Sequence, residues 1–391
     1  MENISYHDGY PVMMHVYNIN EYTLHCHEAA IEIIFVLKGS VHVKVSFEYF
    51  TLGEGDYVVV NREDSHKIWR QEKKNNMVAI FHISLNYYRS YFPYIYYVLF
   101  ACESFDLAKH KGQTMHLRHL LLDLMSSLLR GGEKAAETAT DITSRLTQLL
   151  VQEYSLEKYY NRNEEIHPVK LETYYTIVQY INEKYQNKTI LQDISRNAFY
   201  SKSYISHLFK EVSGASFQDI LGYIRVFKAE RLLLETDYNI TMIAEKCGFS
   251  DAKYFKGTFQ KWFQMKPADY RKCYQKQIGE EQKVTKVEPS KVEERIQQLK
   301  KLEQDNTEYK VAMTPITLKN VGTKIDLLNY QKQAKAVKPL RKETNRDTGT
   351  TYALIKIADN GDIEHTKALL EKLLEDLQRQ VDGEIEYSFI K

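Results

Sequence analysis

Between His25 and Gly39 the sequence reads HCHEAAIEIIFVLKG. His25 and His27 are separated by a single residue, and Glu32 follows close behind. Side chains alternate across an extended strand, so the two imidazoles fall on one face. Histidine pairs joined by a carboxylate are ligands for transition metals. The same residues could equally line a pocket that senses a small molecule, or form a buried polar cluster without a ligand. The chain contains no Ser-His-Asp order, no phosphate-binding glycine loop and no close pair of catalytic carboxylates that would point to another enzyme class.

The elements that must position these residues are legible as texture. Residues 1 to about 88 hold short apolar or alternating runs, IEIIFVL, VHVKVSF, DYVVVN and MVAIFHISL, broken by Gly, Asn and charged clusters. That pattern predicts an all-β sandwich or barrel. From about 91 to 160 the period becomes helical, with Leu120, Leu121, Leu124, Leu128 and Leu129 on one stripe before a loop-like GGEK at 131–134. The most apolar run, YFPYIYYVLFAC at 91–102, is expected as a buried helix. It falls short of the roughly 20 residues that span a bilayer, so no membrane partner is expected. Residues 171–272 are helical throughout, divided by SGAS, NIT and GFS. A Lys/Glu/Gln-rich stretch at 275–310 reads as a solvated helix or linker. The remainder alternates strand and helix: TYALIKI, the turn DNGD, ALLEKLLEDL and EIEYSFI.

A length of 391 residues suits two or three domains. The formal net charge of +1 provides no global attraction to a polyanion, so a nucleic-acid surface would have to be a local arrangement. Cys26, Cys102, Cys247 and Cys273 form no CxxC pair, which predicts free thiols in a reducing, cytoplasmic compartment. The start, MENISYHDGY, lacks the basic head and apolar core of a signal peptide.

The strongest pattern lies in 171–272. LQDISRNAFYSKSYISHLFKEVSG divides into an amphipathic helix, a tight turn near Phe199 and Tyr200, and a second helix capped by Ser201. On that second helix Ile205, Leu208 and Phe209 share one face, while Lys202, Ser203, Ser206, His207 and Lys210 fall on another. About forty residues on, ITMIAEKCGFSDAKYFKGTFQKWF repeats the design, with a turn at Gly248 and Lys253, Lys256, Gln260 and Lys261 on its second helix. Between them SFQDILGYIRVFKAERLLLE opens with a capping box of Ser216 and Asp219. A helix of about 20 residues spans roughly 30 Å. That length could hold two recognition helices in successive major grooves of one DNA face.

The stretch from Lys228 to Arg271, KAERLLLETDYNITMIAEKCGFSDAKYFKGTFQKWFQMKPADYR, resembles the signature of AraC/XylS-type transcription regulators, and SYISHLFKEVSGASFQDIL resembles the first unit of that family. The resemblance implies that Ser203, Ser206 and His207, and in the second unit Lys253 and Lys256, meet double-stranded promoter DNA; Lys202, Lys210 and Gln260 lie on the same outer helix faces and are expected to meet it as well. Three positions depart from the family pattern. Gly257 stands where an Arg often points at bases, which removes a long hydrogen-bonding side chain. His207 likewise replaces a common Arg, and Gln264 replaces the glycine that closes the second recognition helix, so that helix is expected to end without an easy left-handed residue.

The N-terminal half resembles the cupin-type sensors of the same family. HCHEAAIE supplies the histidine pair and glutamate of the first cupin motif, and GDYVVVNREDSH, from Gly55 to His66, resembles the second, with Arg62 where a proline is usual. The resemblance implies that His25, His27, Glu32 and His66 share a pocket. It leaves open whether that pocket holds Fe, Mn, Ni or Zn or binds an effector without metal; no cofactor is assigned. The expected fold is multidomain α+β. It comprises a cupin-like β-barrel sensing domain at 1–90, a helical dimerisation or linker region at 91–170, an all-α tandem helix-turn-helix domain at 171–272, a charged linker at 273–310 and a small α/β extension at 311–391. NVGTKIDLLNYQKQ in the last part faintly resembles the start of a glycosidase-like barrel, with too few residues following to complete one. The expected function is sequence-specific transcription regulation without enzymatic activity. Its expected partners are promoter DNA, a second copy of the chain, a small-molecule effector such as a sugar, and RNA polymerase. The alternative is a metal-dependent cupin enzyme, an isomerase or oxygenase, with a helical appendage.

Overall fold

The computed structural model describes residues 10–305 apart from 71–74, 103–110, 161–165 and 279, together with Ile4, Tyr6 and two short strands at 343–344 and 351–352. The expected strands and helix of the last part otherwise lie outside the described residues. Seven strands come first: β1 (Val12–His25), β2 (Ala30–Lys38), β3 (Val41–Val45), β4 (Glu48–Leu52), β5 (Tyr57–Val60), β6 (His66–Arg70) and β7 (Met77–Ser84). They pair antiparallel in the order β4-β3-β6-β1-β7-β2-β5 and curl into a nearly closed barrel. β2 reads as a continuous apolar run because both of its faces are covered. Ile31, Ile33, Phe35 and Leu37 join the core shared with the helices, while Ile34 and Val36 belong to the barrel interior with Val43, Ile68, Val78 and Ile80. By the two-residue period Glu32 shares the interior face of Ile34, and His82 that of Ile80.

After the barrel come α1 (Leu85–Tyr88), α2 (Lys111–Arg130) and α3 (Glu133–Glu153), the last two folded into a hairpin at Gly131 and Gly132, where φ is 64° and 86°. Most of the stripe read from the leucines is buried within this chain: Leu120, Leu121 and Leu124, joined by Leu117 and Met125 of α2, pack with Ala139, Ile142, Leu146 and Leu150 of α3, while Leu128 and Leu129 are half-buried. The run at 91–102 is not a helix; it buries Ile95, Val98 and Phe100 to Cys102 but leaves Tyr91 exposed, and only Ile95–Tyr97 makes a short 3-10 turn. Its backbone bonds outward instead. Leu99 O accepts from Leu156 N at 2.8 Å, Ala101 N donates to Tyr154 O at 2.9 Å, and Cys102 O accepts from Val59 N at 2.9 Å. Pro93 and the crowd of aromatic and β-branched residues disfavour the helix that apolarity alone suggests.

The helical domain follows as α4 (Leu156–Tyr160), α5 (Pro168–Lys184), α6 (Ile190–Asn197), α7 (Lys202–Ser213), α8 (Phe217–Glu235), α9 (Ile240–Lys246), α10 (Ala252–Phe263) and α11 (Pro267–Tyr274). Ser201 caps α7 by accepting from Tyr204 N, and Ser216 and Asp219 form the reciprocal capping box of α8. Arg225 of α8 donates to the Tyr185 and Asn187 carbonyls at 2.8 and 2.9 Å, tying the end of α5 to the helix that spaces the two units. Gln264 corrects one expectation: it takes the left-handed conformation itself, with φ of 52°, and its side-chain amide donates to Lys261 O at 2.9 Å.

The stretch read as a solvated helix or linker also packs back. β8 (Lys283–Lys286) pairs antiparallel with β1, and α12 (Pro289–Asp305) lies against α2. Val292, Ile296 and Leu299 give α12 a buried stripe at helical spacing that its charged composition conceals. Arg295 anchors it, donating to Leu37 O at 2.7 Å and pairing with Glu54 at 2.7 Å. No helix among the described residues is long and apolar enough to cross a membrane.

Candidate functional site

His25, His27, Glu32 and His66 converge inside the barrel, each offering a donor atom within 4.8 Å of the others, and all four are buried. The register brings them together: His25 is opposite His66 across β1 and β6, and Glu32 is opposite His82 across β2 and β7. His82 is the residue that motif reasoning missed. It sits in the run MVAIFHISL, two residues from Ile80, and period-two alternation was the available signal.

Glu32 is the hub. Its Oε2 lies 2.9 Å from His27 Nε2, 2.9 Å from His82 Nε2, 3.2 Å from His66 Nε2 and 3.8 Å from His25 Nε2. Four imidazoles around one carboxylate oxygen exceed what it accepts as ordinary hydrogen bonds, while Oε1 has no hydrogen-bond partner among the described residues. The Nδ1–H of His25 donates to Thr23 O at 2.8 Å, and that of His66 to Asp64 O at 2.9 Å. Those backbone bonds fix the tautomers and turn both Nε2 atoms toward the carboxylate, as the outer partners of metal-binding histidines do.

Electrostatics follow from burial and from Glu32. Burial pushes the pKa of His25 down to about 4, helped by the charge on His66, and burial also lowers that of His27. Burial opposes protonation of His66 as well, but the charge and hydrogen bond of Glu32 outweigh it and raise that ring. Burial would raise the Glu32 carboxyl; the charge of His66 and the hydrogen bonds from His27 and His66 hold it well below the ordinary range instead. The cluster therefore keeps an anion at its centre, with the Nε2 atoms of His25 and His66 turned toward it. Such a donor set fits a cation.

The second candidate surface is the exposed side of α7 and α10. Lys202, Ser203, Ser206, His207 and Lys210 are all exposed on α7, as are Lys253, Lys256 and Gln260 on α10. Their opposite faces bury Ile205, Leu208 and Phe209, and Phe255, Phe259 and Trp262. Ser206 Oγ donates back to Lys202 O at 2.9 Å, and Lys261 is held by Asp219 at 3.2 Å.

Barrel and helical domain are joined by a dense seam. Phe47, in the β3–β4 turn, is buried with its ring centre 6.3, 6.0 and 6.0 Å from those of Phe227, Trp262 and Phe263. Glu28 pairs with Arg231 at 2.5 Å, Glu63 pairs with Lys228, and Ser65 donates to Glu230. Lys44 reaches Tyr270 Oη at 3.1 Å, and Tyr270 donates to Glu230 at 2.5 Å. Burial pushes the Lys44 amine down to about 8, against the pull of Glu230 and Asp64. Beside this seam runs an open groove of about 470 Å³ lined by Glu21, Lys44, Tyr49, Lys67, Trp69 and Tyr274 among others. Its inner cations are already engaged, Lys67 by Glu21 and Gln277 and Lys44 by Ser46 and Tyr270.

Comparison with known proteins agrees with both halves. A cupin domain family matches residues 16–83 and a helix-turn-helix domain family matches residues 194–273. An uncharacterized HTH-type transcriptional regulator of Staphylococcus aureus strain MRSA252 is 24% identical over 237 residues, which cover 61% of this chain and 31% of that protein. The uncharacterized HTH-type transcriptional regulator YijO of Escherichia coli K12 is 32% identical over 104 residues, 27% of this chain and 37% of YijO. The chain thus spans about a third of the length of these curated relatives. Among solved structures, the C-terminal domain of the two-component response regulator yesN from Fusobacterium nucleatum is 37% identical, covering 26% of this chain and 98% of that one, with a TM-score of 0.25.

Proposed function

The chain belongs to the AraC-type helix-turn-helix regulators that carry an N-terminal cupin domain, and from that premise we propose that it binds double-stranded promoter DNA sequence-specifically, in the cytoplasm, under control of an effector taken up at His25, His27, Glu32 and His66. One observation carries the control step. The loops that hold the cluster also grip α8: Glu28, next to His27, meets Arg231, and Ser65, next to His66, meets Glu230. A rearrangement at the cluster reaches the helix that spaces the two units within one residue of the chain. An effector then acts by binding two arrangements of that seam with different affinity.

The effector that best suits the donor set is a divalent first-row metal ion rather than a sugar. The donors lie within 4.8 Å of one another; metal–nitrogen bonds of about 2.1 Å span at most about 4.2 Å between two donors, so the widest pair would have to close slightly around the ion. His25, His27, Glu32 and His66 would hold the ion, and it would supply the positive charge that Glu32 draws from His66 in its absence. His82 orients Glu32 from β7, and the Thr23 and Asp64 carbonyls orient two of the rings. The tandem helix-turn-helix has no role in a cupin isomerase or oxygenase, which favours the regulator. Homodimerisation through 91–170 and contact with RNA polymerase belong to the same proposal. A dimer would have to use the outer faces of α2 and α3, because their apolar stripes are mostly buried within one chain.

The test uses the full chain. Duplexes enriched from a random library should bind with an affinity that changes at least about fivefold between chelator-treated protein and protein given Mn²⁺ or Zn²⁺. Glu32→Gln should keep DNA binding and lose the metal response. Failure to enrich any sequence refutes DNA recognition; enrichment with no dependence on metal or Glu32 refutes only the effector assignment.

A further inference from the structure

Phe199 stands out at the turn between α6 and α7. It is 93% exposed, the most exposed large hydrophobic side chain among the described residues, and its φ of 57° is left-handed. Bulky residues rarely adopt that conformation. The second unit has its left-handed residue at the same step, one past the cap of its first helix, and there it is Gly248 with φ of 76°. Glycine is enforced at that point, since a Cβ would lie 2.6 Å from the carbonyl oxygens of Tyr185 and Gln186. At the first unit the same backbone carries a phenyl ring left open to solvent by the described residues. A strained conformation and an exposed ring together bring the folded chain no evident benefit, so the benefit has to lie in something the ring touches.

We propose that Phe199 is a further DNA contact, its ring seated against deoxyribose and thymine methyl groups at the edge of the groove that α7 enters; this rests on the DNA-binding function proposed above. The ring is well placed for it. It lies two residues before the Ser201 cap, at the end of the helix where a helix-turn-helix meets the duplex. Ser195 Oγ donates to Tyr200 O at 2.7 Å and Tyr200 stacks on Tyr204 at 4.8 Å, so the turn presenting the ring is braced. Exposed Lys202, Ser203 and His207 follow directly, a cationic and polar face suited to a duplex. Apolar contact with a thymine methyl is what a phenyl ring can add to it.

Phe199→Gly and Phe199→Asn, both compatible with the left-handed backbone, test the assignment in the full chain on a duplex enriched by wild type. Both variants should melt no lower than wild type and bind that duplex at least about fivefold more weakly. The salt dependence of binding should stay unchanged, because no counterion is released by an apolar contact. Lys202→Ala, by contrast, should lower the salt slope. Variants that bind as tightly as wild type overturn the proposal, and unchanged binding with reduced transcription in vitro overturns it in favour of a protein partner. If wild type enriches no duplex, DNA recognition itself fails and takes this contact with it.

Discussion

Replacing Glu157 by Gln should remove a pH dependence built into the joint between α3 and the helical domain. Glu157 is 3% exposed on α4, and its Oε2 accepts from the Tyr175 hydroxyl at 2.8 Å. Loss of water raises its pKa from 4.5 to about 7, against hydrogen bonds from its own amide, Tyr175, Tyr174 and Ser155. Between those values the folded chain keeps a proton that the unfolded chain has released. The stability contributed by this proton is therefore complete below the unfolded value and is lost as pH rises through the folded one. At 1.36 kcal/mol per unit the loss amounts to about 3 kcal/mol. The glutamine side chain of Glu157→Gln keeps the shape and the acceptor for Tyr175 and cannot ionise. The difference in urea midpoint between variant and wild type, followed from pH 5 to pH 9, cancels the groups they share. It should be small at pH 5 and grow in favour of the variant to the equivalent of about 2–3 kcal/mol by pH 8. A difference that stays flat across that range refutes the buried, proton-holding carboxyl.

Gly248→Ala forces a Cβ to 2.6 Å from two carbonyl oxygens at a φ of 76° and should cost about 3 kcal/mol, read as a lower melting temperature; an unchanged melt contradicts the close approach. Lys202→Ala or Lys256→Ala should weaken binding to every duplex and lower the salt slope by about 1, whereas His207→Ala should relax preference at one base pair by about 1–3 kcal/mol. Equal losses on enriched and random DNA for all three would remove the distinction between backbone and base contacts. Phe47→Ala empties the seat between Phe227, Trp262 and Phe263 and should cost about 3–5 kcal/mol, splitting thermal unfolding into separate barrel and helical transitions. A single transition at the wild-type temperature would mean that the ring does not couple the halves.

What could be read from the sequence was whatever local chemistry decides. The caps at Ser201 and Ser216, the glycine turn at Gly248 and the separation of Ile205 and Leu208 from Lys202 and His207 depend on neighbours a few residues apart, and the structure has them all. The run at 91–102 misled because apolarity reports burial and not conformation; its backbone found partners on 154–156 and on β5. α12 was hidden by its Lys and Glu content although Val292, Ile296 and Leu299 carry the helical period. His82 belongs to no motif and joins the cluster only through the register of β2 and β7. Phe47 could not have been singled out at all, because its importance is set by α8 and α10, far along the chain.

The seam grips the two units unequally, and this bears on what an effector can change. Phe47 packs on Trp262 and Phe263, Lys44 on Tyr270 and Tyr49 on Tyr274 at 2.6 Å, so the barrel holds α10, α11 and the middle of α8. On the proposed function α10 also has less to offer the bases, with Gly257 exposed and Lys261 engaged by Asp219. α7, with Ser203, Ser206 and His207 exposed, is bonded instead to α5, where Lys170 pairs with Glu211 at 2.5 Å. On the proposed function, a rearrangement at the histidine cluster shifts the second unit while leaving the face of the first as it was. Two units on one rigid α8 bind with an affinity set by whether both can seat at once. The effector should therefore change affinity for an enriched duplex without changing which bases are preferred. Enrichment from a random library with chelator-treated and with metal-loaded protein measures this directly: the same sequence preference at different affinity is expected. A preference that changes at the positions read by α7 would refute control through the second unit.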